Sequence, residues 1–301
     1  MAAQPLIELP ARRRPRRRLP HSPPAHSGHG RGLPVTATPA TGWIRGGHVD
    51  SADGTTISWL ARGHGPVIVA VHGGLGSAVS MMPLAAHLDR DFEVVAMNCR
   101  GHGTSAPPQS PADIAHEIAD IIAVIDAVGP IAMLFGYSYG AVVALETALA
   151  APAKVPKLVL YEPPLPITYP LPDLTALDTA LAAGDYEQLL LAASTTGGGF
   201  SADELAALRE DPLWPIKVAQ APTLAATMRV LAGLPRSVDR YAAISTPTRL
   251  ITGTTSADYL LAAADLLAEQ IPVLSRDTLT GQGHHPDPQQ LARAVAAFGT
   301  A

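Results

Sequence analysis

The chain has 301 residues, 47% of them apolar and 16% charged, with one cysteine and a formal net charge of −5. That apolar share is enough for a buried core and excludes wholesale disorder. The single cysteine, Cys99, excludes an internal disulfide and any metal site built from cysteine pairs, and no run approaches the ~18 consecutive apolar residues of a membrane-spanning helix.

The charge is unevenly spread. Residues 1–42 hold seven arginines, six of them between Arg12 and Arg18, and one acid, Glu8, so this segment carries +6 while the rest of the chain carries −11. The segment is rich in Pro, Gly, His and Ser and lacks an apolar period, which predicts a disordered Arg/Pro-rich tail. No apolar stretch of the ~7–15 residues found in a signal peptide follows the arginines, so a cytoplasmic location is expected. An arginine run can contact nucleic acid, but the acidic balance after residue 42 argues against nucleic acid as a partner of the folded body.

From Trp43 the pattern becomes regular. Trp43–Ser51 and Thr55–Arg62 alternate around Ala52-Asp53-Gly54, which predicts a hairpin with a glycine-containing turn. Pro66–Val71 is a continuous apolar run, as expected of a strand buried on both faces. A helix over Ser80–Leu88, a strand over Phe92–Met97 and a helix over Pro111–Val128 follow, the last with Ile114, Ile118, Ile121, Ile122 and Ile125 at helical spacing. Next come a strand at Pro130–Phe135, a helix at Gly140–Ala150 and a strand at Lys157–Tyr161. Steady alternation of strand and helix predicts parallel βαβ units with both sheet faces covered.

Residues 163–240 break the rhythm. Their amphipathic segments (Leu174–Ala183, Tyr186–Ala193, Ala202–Glu210, Ala219–Leu231) predict a helical cap inserted into a core made of 43–162 and 241–301. The alternation resumes with a strand at Pro247–Thr252, a helix at Ala257–Ile271, a strand near Pro272–Leu279 and a helix at Pro288–Phe298. Such an insertion is expected over the carboxyl edge of the sheet, where open α/β sheets bind ligands. Trp214, Tyr169, Tyr186 and Phe200 are its candidate pocket liners.

Gly136-Tyr137-Ser138-Tyr139-Gly140 fits G-x-S-x-G between a buried strand and an Ala-rich helix. In that context a sharp turn pushes the Ser138 hydroxyl above the sheet. The glycines admit neighbouring chain, and the helix N-terminus aims free N–H groups at the reacting centre. Upstream, His72-Gly73-Gly74-Leu75-Gly76 leaves the first buried strand. Gly74 is the candidate oxyanion donor, paired with the N–H of Tyr139, and His72 is expected beneath the loop in a supporting role.

These pieces resemble the α/β-hydrolase fold superfamily from about Trp43 to Phe298: His72-Gly73-Gly74, then Arg100-Gly101-His102-Gly103-Thr104-Ser105 after a strand, the elbow at Ser138, and Gly281-Gln282-Gly283-His284 after the last strand. Asn98 stands where many relatives carry Asp. The resemblance implies an α/β fold with a mostly parallel sheet, flanking helices and a helical cap, and a serine nucleophile without a cofactor or metal. Epoxide hydrolases and haloalkane dehalogenases of this fold use a carboxylate at the elbow, so Ser138 disfavours both activities.

His284 is the expected base, since imidazole is the side chain that takes and returns a proton near neutral pH; its neighbour His285 competes for the role. The acid stays open. The usual family position falls on Ser256, which cannot hold a negative charge. Glu162, after the strand Leu158–Tyr161 and before Pro163-Pro164, matches relatives that place the acid there; Asp258 is the alternative, and a third possibility is that no functional acid exists. The reaction expected is hydrolysis of a small neutral ester, lactone or amide through an acyl-enzyme. A non-hydrolytic catalytic or binding role is the alternative, because fold does not fix function.

Overall fold

The structure is a computed structural model that describes residues 43–108, 111, 113–195, 202–212 and 214–300. The tail expected over residues 1–42, and Phe200, lie outside the described residues.

Eight strands form one sheet in the order β1-β2-β4-β3-β5-β6-β7-β8. The hairpin pairs β1 (Ile44–Asp50) with β2 (Thr56–Gly63), and β2 runs antiparallel to β4 (Glu93–Met97). Every later pairing is parallel, joining β3 (Val67–Val71), β5 (Ile131–Tyr137), β6 (Leu158–Tyr161), β7 (Thr248–Gly253) and β8 (Leu274–Leu279). The central strands are buried nearly throughout, which is why they read as unbroken apolar runs rather than alternations.

Helices cover both faces. α1 (Met82–Leu88) and α9 (Pro288–Gly299) pack together over one face, where Leu84, Leu88, Leu291 and Val295 join Phe135 and Val159 in one core. On the other lie α2 (Ile114–Val128), α3 (Tyr139–Ala150) and α8 (Asp258–Gln270). Asp113 caps α2 by accepting from Ala115 N at 3.0 Å, so this helix begins three residues later than its apolar pattern implied. α3 is buried from Tyr139 through Ala148, the mark of a helix enclosed on all sides.

Among the described residues, four α-helices fall between β6 and β7: α4 (Leu174–Ala183), α5 (Tyr186–Thr195), α6 (Ala202–Arg209) and α7 (Trp214–Gly233). Leu177, Leu189, Leu224 and Val230 bring α4, α5 and α7 into the same apolar core as α2 and α3. α7 starts five residues before the sequence pattern suggested. Pro215 sits in its first turn, where the missing N–H would have had no helical partner, so it opens the helix rather than breaking it.

Candidate active site

β5 runs two residues further than its apolar run and delivers the chain directly to Ser138, which has φ 54° and ψ −120° at the N-cap of α3. That left-handed backbone is uncommon for a residue with a Cβ and is held by its surroundings. Ser138 N–H donates to Tyr161 O at 2.8 Å, while Ala141 N–H donates to Ser138 O at 2.8 Å. A Cβ on Gly136 would lie 2.4 Å from Gly140 O, and one on Gly140 would lie 2.3 Å from Val71 O, so only glycine fits at either position.

The loops after β6 and β8 converge on this turn. His284 Nε2 lies 2.9 Å from Ser138 Oγ, and His284 Nδ1 lies 2.8 Å from Glu162 Oε2. The other Glu162 oxygen accepts from Gly253 N–H at 2.7 Å and from the Ser256 hydroxyl. Glu162 is fully buried, and it too takes a left-handed backbone, with φ 49°. Burial alone would raise its carboxyl pKa; the hydrogen bonds from His284, Ser256 and Gly253 outweigh that and hold it below the usual value.

Thus the structure brings together Ser138, His284 and Glu162. Asp258 is exposed in the first turn of α8, and the imidazole nitrogen that an acid would face is taken by Glu162. His285 does not meet Ser138; its Nδ1 lies 3.2 Å from Tyr137 Oη. Ser256, at the usual family position for the acid, hydrogen-bonds to the carboxylate instead of replacing it.

Two tyrosines support the histidine loop, and sequence reading missed both. Tyr137 Oη donates to His284 O, and Tyr161 Oη donates to Gly283 O at 2.5 Å. Their rings stack with centroids 5.4 Å apart, and the Tyr137 ring lies 5.5 Å from the His284 ring. A tyrosine at the last position of two adjacent parallel strands was the available signal.

Gly74 and Tyr139 both line a cavity above Ser138, and neither backbone N–H has a hydrogen-bond partner among the described residues. Tyr139 N–H is one of the free donors at a helix N-terminus. The Gly74 loop is anchored from below by His72, fully buried, whose Nδ1–H donates to Gly73 O at 2.7 Å while Nε2 accepts from Cys99 N–H at 3.1 Å. Burial, with His102 nearby, pushes its pKa down to about 3, so His72 is neutral and in the Nδ1–H form. Asn98 uses both ends of its amide: Oδ1 accepts from Ala78 N–H at 2.7 Å and Nδ2 donates to Ser58 Oγ at 2.9 Å. An ionised Asp could not donate the second bond and would depend on the Ser58 hydroxyl donating instead.

The cavity has a volume of about 810 Å³. Leu190, Leu224, Met228 and Leu231 close it from above, and Met81, Leu84 and Leu260 line its core side. Trp214 and Tyr169 line it as expected, joined by Tyr259, whereas Tyr186 is exposed and is not among its walls. Lys217 also reaches it, but its ammonium donates to Asp211 Oδ2 at 2.6 Å. Among the described residues no helix is long and apolar enough to cross a membrane, and no cluster of three His, Cys, Asp or Glu could hold a metal ion.

Residues 68–298 match the Alpha/beta hydrolase family. The pimeloyl acyl-carrier-protein methyl ester esterase of Xanthomonas campestris pv. campestris is 27% identical over 253 residues, which cover 78% of this chain and 96% of that protein. Among solved structures, an alpha/beta hydrolase from Sphaerobacter thermophilus superposes with a TM-score of 0.77 at 33% identity, covering 84% of this chain and 99% of that one. The esterase RhEst1 from Rhodococcus sp. shares the fold, with a TM-score of 0.63 at 23% identity over 86% of this chain and 98% of that one. The chain belongs to the alpha/beta hydrolase family, has its fold with a mostly parallel eight-stranded sheet, and is a hydrolase with esterases among its relatives.

Proposed function

We propose that this protein hydrolyses neutral carboxylic esters through a Ser138–His284–Glu162 triad and an acyl-enzyme. The observation that carries the reading is the unbroken chain Ser138 Oγ, His284, Glu162 at 2.9 and 2.8 Å. In this scheme His284 Nε2 takes the Ser138 proton as Oγ attacks the ester carbonyl, and Glu162 orients the ring and stabilises its charged form. Gly74 and Tyr139 N–H groups stabilise the negative charge that develops on the carbonyl oxygen. His284 then protonates the leaving alcohol, water enters, and the same steps release the acid and restore Ser138.

The non-hydrolytic alternative rested on the absent carboxylate at Ser256; a buried, ionised Glu162 facing His284 favours hydrolysis. The apolar walls and the pairing of Lys217 with Asp211 favour an uncharged substrate, and the volume favours one with a larger apolar group than acetate. Each added CH₂ gains at most ~0.8 kcal/mol, or about fourfold. On p-nitrophenyl esters, kcat/KM is therefore expected to rise at least ~10-fold from acetate to octanoate, with Ser138→Ala inactive on both. A fully active Ser138→Ala protein would remove Ser138 from the reaction.

A further inference from the structure

Each residue that His284 bonds follows a tyrosine in the chain. Tyr137 precedes Ser138 and Tyr161 precedes Glu162, and the two tyrosines are in register across β5 and β6. In both cases the residue after the tyrosine takes the left-handed backbone, at φ 54° and φ 49°. Residues in register on neighbouring strands put their side chains on the same face of the sheet. Here the rings stack 5.4 Å apart at 13° to each other, and both hydroxyls reach the loop after β8.

That loop has few backbone bonds where the base sits. Gly281 N–H donates to Thr254 Oγ1 at 2.8 Å and Gln282 O accepts from Thr255 N–H at 2.9 Å, so the chain after β7 holds the first half. Gly283 and His284 make no backbone–backbone hydrogen bond among the described residues. Their carbonyls accept from the two phenols instead: Gly283 O from Tyr161 Oη at 2.5 Å, and His284 O from Tyr137 Oη. Tyr137 Oη gives its one proton to His284 O, so the 3.2 Å bond to His285 Nδ1 is donated by that histidine and keeps the hydroxyl from turning away. A Cβ on Gly73 would lie 3.1 Å from Tyr137 Cδ1, so the same ring also backs the loop that carries Gly74.

We infer that Tyr137 and Tyr161 are positioning residues for His284. Each is joined by a peptide bond to one member of the triad and by its hydroxyl to the loop of the third, so the stacked pair sets the reach of His284 Nε2 to Ser138 Oγ. The inference rests on the ester-hydrolase reading above. Burial, with the Glu162 charge nearby, pushes both phenol pKa values up, so both hydroxyls remain donors at neutral and moderately alkaline pH. A Tyr→Phe change removes one oxygen and keeps the ring, which separates this role from packing. The carbonyl then loses its donor, and a backbone segment without a ladder is free to shift; a displacement of ~1 Å can cost ~10²-fold in rate.

The test compares full-length wild type, Tyr137→Phe, Tyr161→Phe, the double variant and Ser138→Ala in two assays, turnover of p-nitrophenyl octanoate and the rate of labelling by a fluorophosphonate. Each single Phe variant is expected to lose about 5–20-fold in kcat and the double variant about 10²-fold, with KM within about twofold. Labelling of Ser138 is expected to slow by the same factor as kcat. A purely structural role would lower the melting temperature and leave kcat of the folded protein unchanged, so Tm is measured on the same samples. Folded Phe variants with kcat within about twofold of wild type, or a loss confined to KM, would overturn the proposal. If the double variant does not fold by circular dichroism, the single variants decide. An active Ser138→Ala protein, or a folded wild type that takes no label on Ser138, would instead overturn the hydrolase reading, so the two failures are distinct.

Discussion

Glu162 sits where an ionised carboxylate is hardest to keep, fully buried and on a left-handed backbone, and its charge survives because three donors converge on two oxygens. In the proposed triad that charge fixes which nitrogen of His284 faces Ser138. Glu162→Gln keeps the shape but removes the charge and can present an N–H to His284, favouring the wrong tautomer. It is expected to lower kcat by about 10³–10⁴ with little change in KM, as loss of a triad carboxylate does elsewhere. Asp258→Asn, by contrast, is expected to stay within about twofold of wild type, since Asp258 is exposed at the start of α8. Steady-state kinetics on the two variants settles which carboxylate works, and a crippled Asp258→Asn beside an active Glu162→Gln would reverse the assignment. The sign of the Glu162 shift also gives a direction. A carboxyl held below its usual pKa stabilises the fold above the ordinary carboxyl range, and that contribution fades as the pH falls through its folded value.

At the scale of elements, the elbow is a contact between β5, β3 and α3 with no room to spare. Gly140→Ala would push a methyl group into Val71 O and His72 O, backbone atoms that cannot rotate away. It is expected to cost about 3 kcal/mol of stability, toward the top of the usual range for overpacking. Urea denaturation measures it, and an unchanged midpoint would show that the strand and helix can part. Much of this architecture could be read from the sequence, because a buried strand such as Val67–Val71 and an enclosed helix such as Tyr139–Ala150 write their environment into unbroken apolar runs. Ser138 was legible for a related reason: G-x-S-x-G encodes a backbone conformation, and conformation is local. Glu162 was not fixed in the same way. A carboxylate at the end of β6 meets His284 only through packing between strands more than a hundred residues apart, so its competitor Asp258 could not be set aside without the structure. Tyr137 and Tyr161 escaped notice for the same reason, and the first turn of α7 was hidden by Pro215, a helix breaker everywhere except where it stands.

At the scale of the whole molecule, folding buries Glu117 and Asp120 on one face of α2 while the Arg100 guanidinium pairs with Asp120 and the exposed Asp53, and burying Glu117 makes stability depend on pH. Glu117 rises from an ordinary 4.5 to about 8 on folding. Between those values the folded protein holds a proton that the unfolded chain has lost, so this group's contribution falls as the pH climbs through the window and levels off above about 8. Glu117→Gln removes that slope. Its urea midpoint relative to wild type is expected to shift upward between about pH 5.5 and 8.5; parallel midpoints would mean that Glu117 is already ionised in the fold. The net charge of −5 combines the +6 of residues 1–42 with the −11 of the remainder, which contains the site. The central claim is that Ser138 is a nucleophile activated by His284 and Glu162, and its most direct test is covalent. Incubation with a fluorophosphonate followed by peptide mass spectrometry is expected to place one adduct per chain on Ser138, absent in Ser138→Ala and formed at least ~100-fold more slowly in Glu162→Gln. An adduct on another residue, or none on a folded wild-type protein, would contradict it.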